Sequence, residues 1–125
     1  MSLDPVQVLL EKDAIQNIKY EYFRRLDSKQ FDDLIKLFTE DATTAYDNGR
    51  HSCHGREEIF NFLDESMSKH EFLSQHQAHH PEITFVDETH ATGMWHFEDT
   101  CYILDDKVKI TGAGIYWDEY VKTDQ

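Results

Sequence analysis

Between Thr92 and Leu104 the chain alternates with a period of two. Thr92, Met94, His96, Glu98, Thr100, Tyr102 and Leu104 fall on one face, and Trp95, Phe97, Asp99, Cys101 and Ile103 on the other. This is a strand, and Asp99 points to the side that its neighbours make apolar. An ionised carboxylate is costly there unless something hydrogen-bonds it, so the position predicts either a buried structural pair or a pocket that uses the group. Similar runs flank it, from Phe72 to Val86 and from Val108 to Val121, with turns at Asp87-Glu88-Thr89 and Asp105-Asp106-Lys107. The three make a long antiparallel meander. Gly112 and Gly114 in the last strand predict a bulge or bend that curls the sheet, and Pro81 marks a place where the register can shift.

Ahead of the meander the period is helical. Leu10, Ala14, Ile15, Ile18, Tyr22 and Leu26 recur at steps of three and four as one apolar stripe, and Pro5 sits where a helix can begin. A short second helix carries Phe31, Leu34, Ile35 and Phe38 inward, with Asp27-Ser28-Lys29-Gln30 reading as its capping box. Ala42 to Tyr46 and Arg50 to Cys53 flank Asp47-Asn48-Gly49, a tight hairpin turn. Gly55 opens a third helix with Ile59, Phe60, Leu63 and Met67 on its buried face. Helices ahead of a strongly curved, mostly antiparallel sheet define an α+β cone enclosing one pocket.

Composition narrows the partners. The 125 residues, 39% hydrophobic, suit one domain with one core, and no apolar run approaches the roughly 20 residues a membrane helix needs. A formal net charge of −13 with no basic cluster argues against nucleic acid and anionic membrane. Two cysteines nearly fifty positions apart, Cys53 and Cys101, are too few for a disulfide framework and suit a reducing compartment such as the cytoplasm.

Several groups could carry chemistry. Tyr22 lies on the apolar stripe, where it is either a core phenol or a donor aimed into a cavity. Asp27 is explained completely as a helix cap, and a carboxylate there also meets that helix's negative pole, which offers a functional reading. The cluster His76-Gln77-Ala78-His79-His80 lacks nearby cysteines or carboxylates at ligand spacing, so no metal is expected, and the same holds for His51, Cys53 and His54. Strand parity leaves open which histidine faces the pocket. There is no phosphate loop and no serine nucleophile motif.

Five segments, Tyr22-Phe23-Arg24-Arg25-Leu26-Asp27, Leu37-Phe38-Thr39-Glu40-Asp41-Ala42, Tyr46-Asp47-Asn48-Gly49, His76 through Ile83, and Ala91 through Asp99, resemble in order and spacing the SnoaL-like branch of the NTF2-like superfamily. Within it the similarity is greatest to bile acid 7α-dehydratases and more distant to scytalone dehydratase. The resemblance runs from about Ile15 to Tyr120 and implies a single SnoaL-like domain over residues 1–125. Such relatives usually continue with a further strand carrying an Arg near the pocket, whereas this sequence stops at Gln125. The resemblance places Tyr22, Asp27, His76 and Asp99 at catalytic positions and Tyr46 at a substrate-contacting one. Val108 and His80 depart from the bile acid pattern, so the substrate need not be a bile acid.

What the resemblance implies is a cofactor-independent dehydratase acting on a hydroxylated, carbonyl-bearing, apolar ring substrate, with no metal. His76 would be the base, Asp27 or Asp99 its orienting group and Tyr22 the oxyanion donor, while Trp95, Phe97 and Ile103 would line the apolar wall. The same groups could shuttle a proton in an isomerisation, and the superfamily also includes non-catalytic binding or assembly domains. The long exposed sheet predicts a homodimer or homotrimer.

Overall fold

The computed structural model describes residues 3–123. Helix α1 (Pro5–Asp27) begins with a capping box that the sequence reading overlooked. Asp4 accepts from the Gln7 N–H at 2.9 Å, Gln7 Oε1 accepts from the Asp4 N–H at 3.1 Å, and Pro5 occupies the first turn. The capping box expected at Asp27-Ser28-Lys29-Gln30 does not form. Helix α2 (Phe31–Leu34) starts after Gln30 with no side-chain cap, and a 3-10 turn (Ile35–Leu37) follows it. The Asp27 carboxylate is engaged elsewhere.

The buried stripe of α1 is also rotated from the expected one. It comprises Ile15, Lys19, Tyr22, Phe23 and Leu26, whereas Leu10 and Ile18 are 64% and 42% exposed. Val6 and Leu9 in the first turns of α1 are exposed as well. Farther along, Lys19 displaces Ile18 from the interior because a partner carboxylate lies across the core.

Strands β1 (Thr43–Tyr46) and β2 (His51–His54) form the expected hairpin, with Asp47, Asn48 and Gly49 at φ of 53°, 56° and 86°. Helix α3 (Gly55–Met67) follows, and Gly55 has φ +84° at its start, a conformation most side chains resist. Strands β3 (Phe72–Phe85), β4 (His90–Ile103) and β5 (Val108–Val121) make the antiparallel meander in the order β3-β4-β5.

The irregularity in this sheet lies in β3. Its register with β4 shifts between His79 and Glu82, around Pro81, and His80 takes φ +52°. Between β4 and β5 the register runs unbroken from His90↔Val121 to Ile103↔Val108, so Gly112 and Gly114 do not mark a bulge. They clear space instead. A Cβ on Gly112 would lie 2.6 Å from Asp99 Oδ1, and one on Gly114 would lie 2.6 Å from Phe97 Cε1.

The helices cover the concave face of the curved sheet. Tyr22, Phe23, Leu26, Phe31, Leu34, Cys53, Ile59 and Leu63 form the main cluster, edged by Phe97 and Tyr116. Leu34 and Ile59 are fully enclosed, each contributing about 1.5–3 kcal/mol by leaving water. Among the described residues no helix is long and apolar enough to cross a membrane.

Candidate active site

Asp27 closes α1 at a point where its carboxylate reaches the free edge of β3. Its Oδ2 accepts the His76 backbone N–H at 2.9 Å, and its Oδ1 accepts Ser74 Oγ at 2.9 Å. His76 Nδ1 lies 2.7 Å from the same Oδ1. A carboxylate can only accept, so Nδ1 is the donor to Asp27, and in the tautomer this selects Nε2 carries the lone pair. The Phe23 ring stacks on the imidazole, with centroids 5.5 Å apart and planes 27° apart.

The backbone explains why Asp99 joins this pair. Because the His76 N–H is directed to Asp27, away from β4, the pairing His76↔Asp99 is of the non-hydrogen-bonded kind, in which facing side chains stand closest. Asp99 Oδ2 lies 3.8 Å from His76 Nε2. That exceeds a hydrogen bond, so among the described residues Asp99 is the charged group that faces this nitrogen without bonding it. The His76 side chain is 9% exposed against 24% for Asp27 and 26% for Asp99. The imidazole is shielded while both carboxylates touch water.

Tyr22 meets this cluster through Phe23, whose ring lies 5.5 Å from that of Tyr22 and 5.8 Å from that of Tyr116. Tyr46 stacks on Phe62 with centroids 5.2 Å apart. Burial raises the Tyr22 hydroxyl well above its ordinary pKa, and the neighbouring Tyr46 and Tyr116 reinforce the shift. Burial is likewise the main cause of the upward shifts at Tyr46 and Tyr116. All three phenols therefore stay protonated as donors at neutral pH.

Sequence reasoning missed Ser74, Tyr116 and a buried ion pair. Lys19 Nζ is 2.8 Å from Asp118 Oδ2 and 3.6 Å from the centroid of the Tyr116 ring. Asp118 also accepts from Tyr120 at 2.8 Å, and the Tyr120 oxygen accepts the Trp95 indole N–H at 3.0 Å. Burial lowers the Lys19 pKa, with Asp118 opposing it. A signal was available: Lys19 lies four residues after Ile15 and four before Phe23, inside the apolar stripe.

The proposed wall residues have different surroundings. Trp95 is fully buried on the Tyr120 hydroxyl, Phe97 packs on Tyr116 with centroids 4.6 Å apart, and Ile103 is half-buried opposite Phe72 and Val108. Tyr20, Phe23, Arg24, Gln75 and Gln77 line a groove together with Asp27 and His76, whereas Tyr22 and Asp99 are not among its lining residues. His79 is exposed, with Nε2 3.3 Å from Glu98. Among the described residues no group of three His, Cys, Asp or Glu is placed to hold a metal ion.

A helix-capped antiparallel cone with a carboxylate-anchored histidine in its wall defines the class, and the chain belongs to the SnoaL-like domain family, whose profile matches residues 7–125. A Novosphingobium aromaticivorans DSM 12444 protein, named as a candidate scytalone dehydratase, shares 25% identity with a TM-score of 0.84 over 93% of this chain and 76% of its own. The hexachlorocyclohexane dehydrochlorinase LinA-type3 of Novosphingobium barchaimii LL02 is 19% identical, with a TM-score of 0.83 over 97% of this chain and 82% of its own. A Catenulispora acidiphila protein in complex with S-DNPA is 18% identical, with a TM-score of 0.79 over 93% and 84%. The last two share the fold.

Proposed function

We propose that this protein is a cofactor-independent lyase that eliminates water from a hydroxylated, carbonyl-bearing, largely apolar ring substrate. One observation carries the reading: Asp27 fixes the ring of His76 while Nε2 makes no hydrogen bond among the described residues and faces Asp99 at 3.8 Å. That is the arrangement of a general base awaiting a proton. The names of two relatives, a candidate scytalone dehydratase and a dehydrochlorinase, both denote eliminations, which agrees with this reading.

Nε2 removes the proton from the carbon next to the substrate carbonyl, and the electron pair moves into the carbonyl as an enolate. Tyr22, backed by Tyr46 and Tyr116, donates to the oxygen that gains charge. Collapse of the enolate forms the C=C bond and breaks the C–O bond. The departing hydroxide takes the proton back from His76 and leaves as water, so the site ends as it began. Asp27 stabilises the imidazolium in between, and Asp99 lies beside the proton's path. Phe97 supplies apolar surface beside the ring system.

The protein works in this reading as a cytoplasmic homodimer or homotrimer. Both cysteines are free, and Trp117, 76% exposed, stands beside Met94 across the register and near Ile115 on the outer face of the sheet. Incubation with hydroxylated cyclic ketones, followed by mass spectrometry for loss of water, tests the activity. Once a substrate is found, His76→Ala should lower kcat about 10²- to 10⁴-fold. Full activity in that variant would overturn the mechanism.

A further inference from the structure

We infer that Gly112 is the positioning residue for Asp99, and that its bare Cα keeps the Asp99 carboxylate spread between β5 and β3 with one oxygen facing His76. The inference rests on the role given above to His76. Asp99 is in the central strand, opposite Gly112 on one side and His76 on the other. Its Oδ2 faces Nε2 at 3.8 Å, while its Oδ1 fills the space that a side chain at position 112 would take. A Cβ there would stand 2.6 Å from Oδ1, a distance real Cβ atoms essentially never show, whereas Cγ at 3.7 Å would be in ordinary contact.

The clash falls on one oxygen of a short side chain, so a methyl group at position 112 changes where the carboxylate points more than where the backbone runs. Two escapes exist. The carboxylate can retreat from β5, which carries Oδ2 toward Nε2 and closes on the base, or it can turn its plane, which takes Oδ2 off the imidazole. Either movement changes the charge that His76 faces from β4. From α1 it faces Asp27, and from its own strand the Ser74 hydroxyl shares that carboxylate. Neither of these is touched by Gly112. The glycine thus tunes the base from two strands away without contacting it. The phi angle of Gly112 does not require glycine; only the space does.

The test is an NMR titration of the His76 imidazole in wild type, Gly112→Ala, Asp99→Asn and the double variant. A charge moved by a fraction of an ångström at this distance should shift the Gly112→Ala midpoint by about 0.5 or more. The shift should vanish in the Asp99→Asn background. A rise would identify retreat toward β3, and a fall would identify turning. An unchanged midpoint, or a shift that persists without the Asp99 charge, would overturn the inference. Should Gly112→Ala fold poorly, the stability cycle decides: the alanine should cost less in an Asp99→Ala background, where Oδ1 is gone, and an equal cost in both backgrounds would also overturn it. These readings need no substrate, so they stand or fall apart from the lyase assignment.

Discussion

Asp27 holds His76 twice, by its backbone N–H at 2.9 Å and by its ring nitrogen at 2.7 Å. The first bond fixes where the residue sits on the strand edge and the second fixes how its ring turns. One carboxylate therefore joins the end of α1 to β3 and orients the proposed base in the same act. Fold and chemistry share this contact, so it should be expensive to remove.

Asp27→Ala should destabilise the protein by about 2 kcal/mol, since it strands donors that now bond a charged acceptor, with a discount because the carboxylate is 24% exposed. Ser74→Ala, which removes one of the three donors, should cost about 1 kcal/mol or less. Urea denaturation measures both. Equal losses in the two variants would mean that Asp27 is not the hub of this contact.

Replacing Tyr22 with Phe keeps the ring packed between Phe23 and Phe38 and removes only the hydroxyl. With a working substrate, kcat should fall on the order of 10²- to 10³-fold and KM should hardly change, because an oxyanion donor acts mainly in the transition state. Steady-state kinetics separates the two parameters. A rise in KM at constant kcat would reassign Tyr22 to ground-state binding.

Stability should fall steeply in alkali. Tyr22, Tyr46, Tyr116 and Tyr120 all have folded pKa values raised chiefly by burial, so the stability they contribute is complete below about pH 10 and is lost as pH rises beyond it. Lys19 works in the opposite sense, because its lowered folded pKa lets stability rise with pH up to its unfolded value of 10.5. Four phenols outweigh one amine. Urea midpoints compared at about pH 9 and about pH 11 should drop, and Tyr116→Phe should drop less than wild type. A flat profile would contradict this account.

Lys19 and Asp118 should be strongly coupled. Removing the amine leaves a partly buried carboxylate that keeps the Tyr120 hydroxyl as a donor, and the double-mutant cycle of Lys19→Ala and Asp118→Ala should return a coupling of about 1–3 kcal/mol. The pair is 7% and 22% exposed, well short of the surface pairs that contribute little. Additive losses would show that the amine acts by packing its stem on Tyr116 alone.

In the proposed homo-oligomer, Trp117→Glu on the outer face of the sheet should shift the equilibrium toward monomer, read by light scattering at micromolar concentration. A wild type that is already monomeric under those conditions would remove the second copy from the outer face of the sheet.

The sequence by itself determined the elements and the two faces of β4, while the face of β3 around His76 to His80 stayed open across the register shift at Pro81. Period two carried Asp99 to the concave side beside Trp95 and Phe97, and Asp47-Asn48-Gly49 announced the hairpin, because pleat geometry and left-handed turn residues act locally. It also brought Tyr22, Asp27, His76 and Asp99 forward as one group through family resemblance. Tertiary structure decided the rest. Local rules made Asp27 a helix cap; across the fold His76 and Ser74 outbid the helix for its oxygens. Helical period made Ile18 core and left Lys19 outside, yet Asp118 lies 99 positions away in sequence and draws the amine inward. Gly112 and Gly114 read along their own strand as a bulge or bend; the unbroken register excludes the bulge, and only the neighbouring strand shows the space they leave for Asp99 and Phe97. Each of these depends on a partner distant in sequence, and periodicity along one segment carries no information about what will face it.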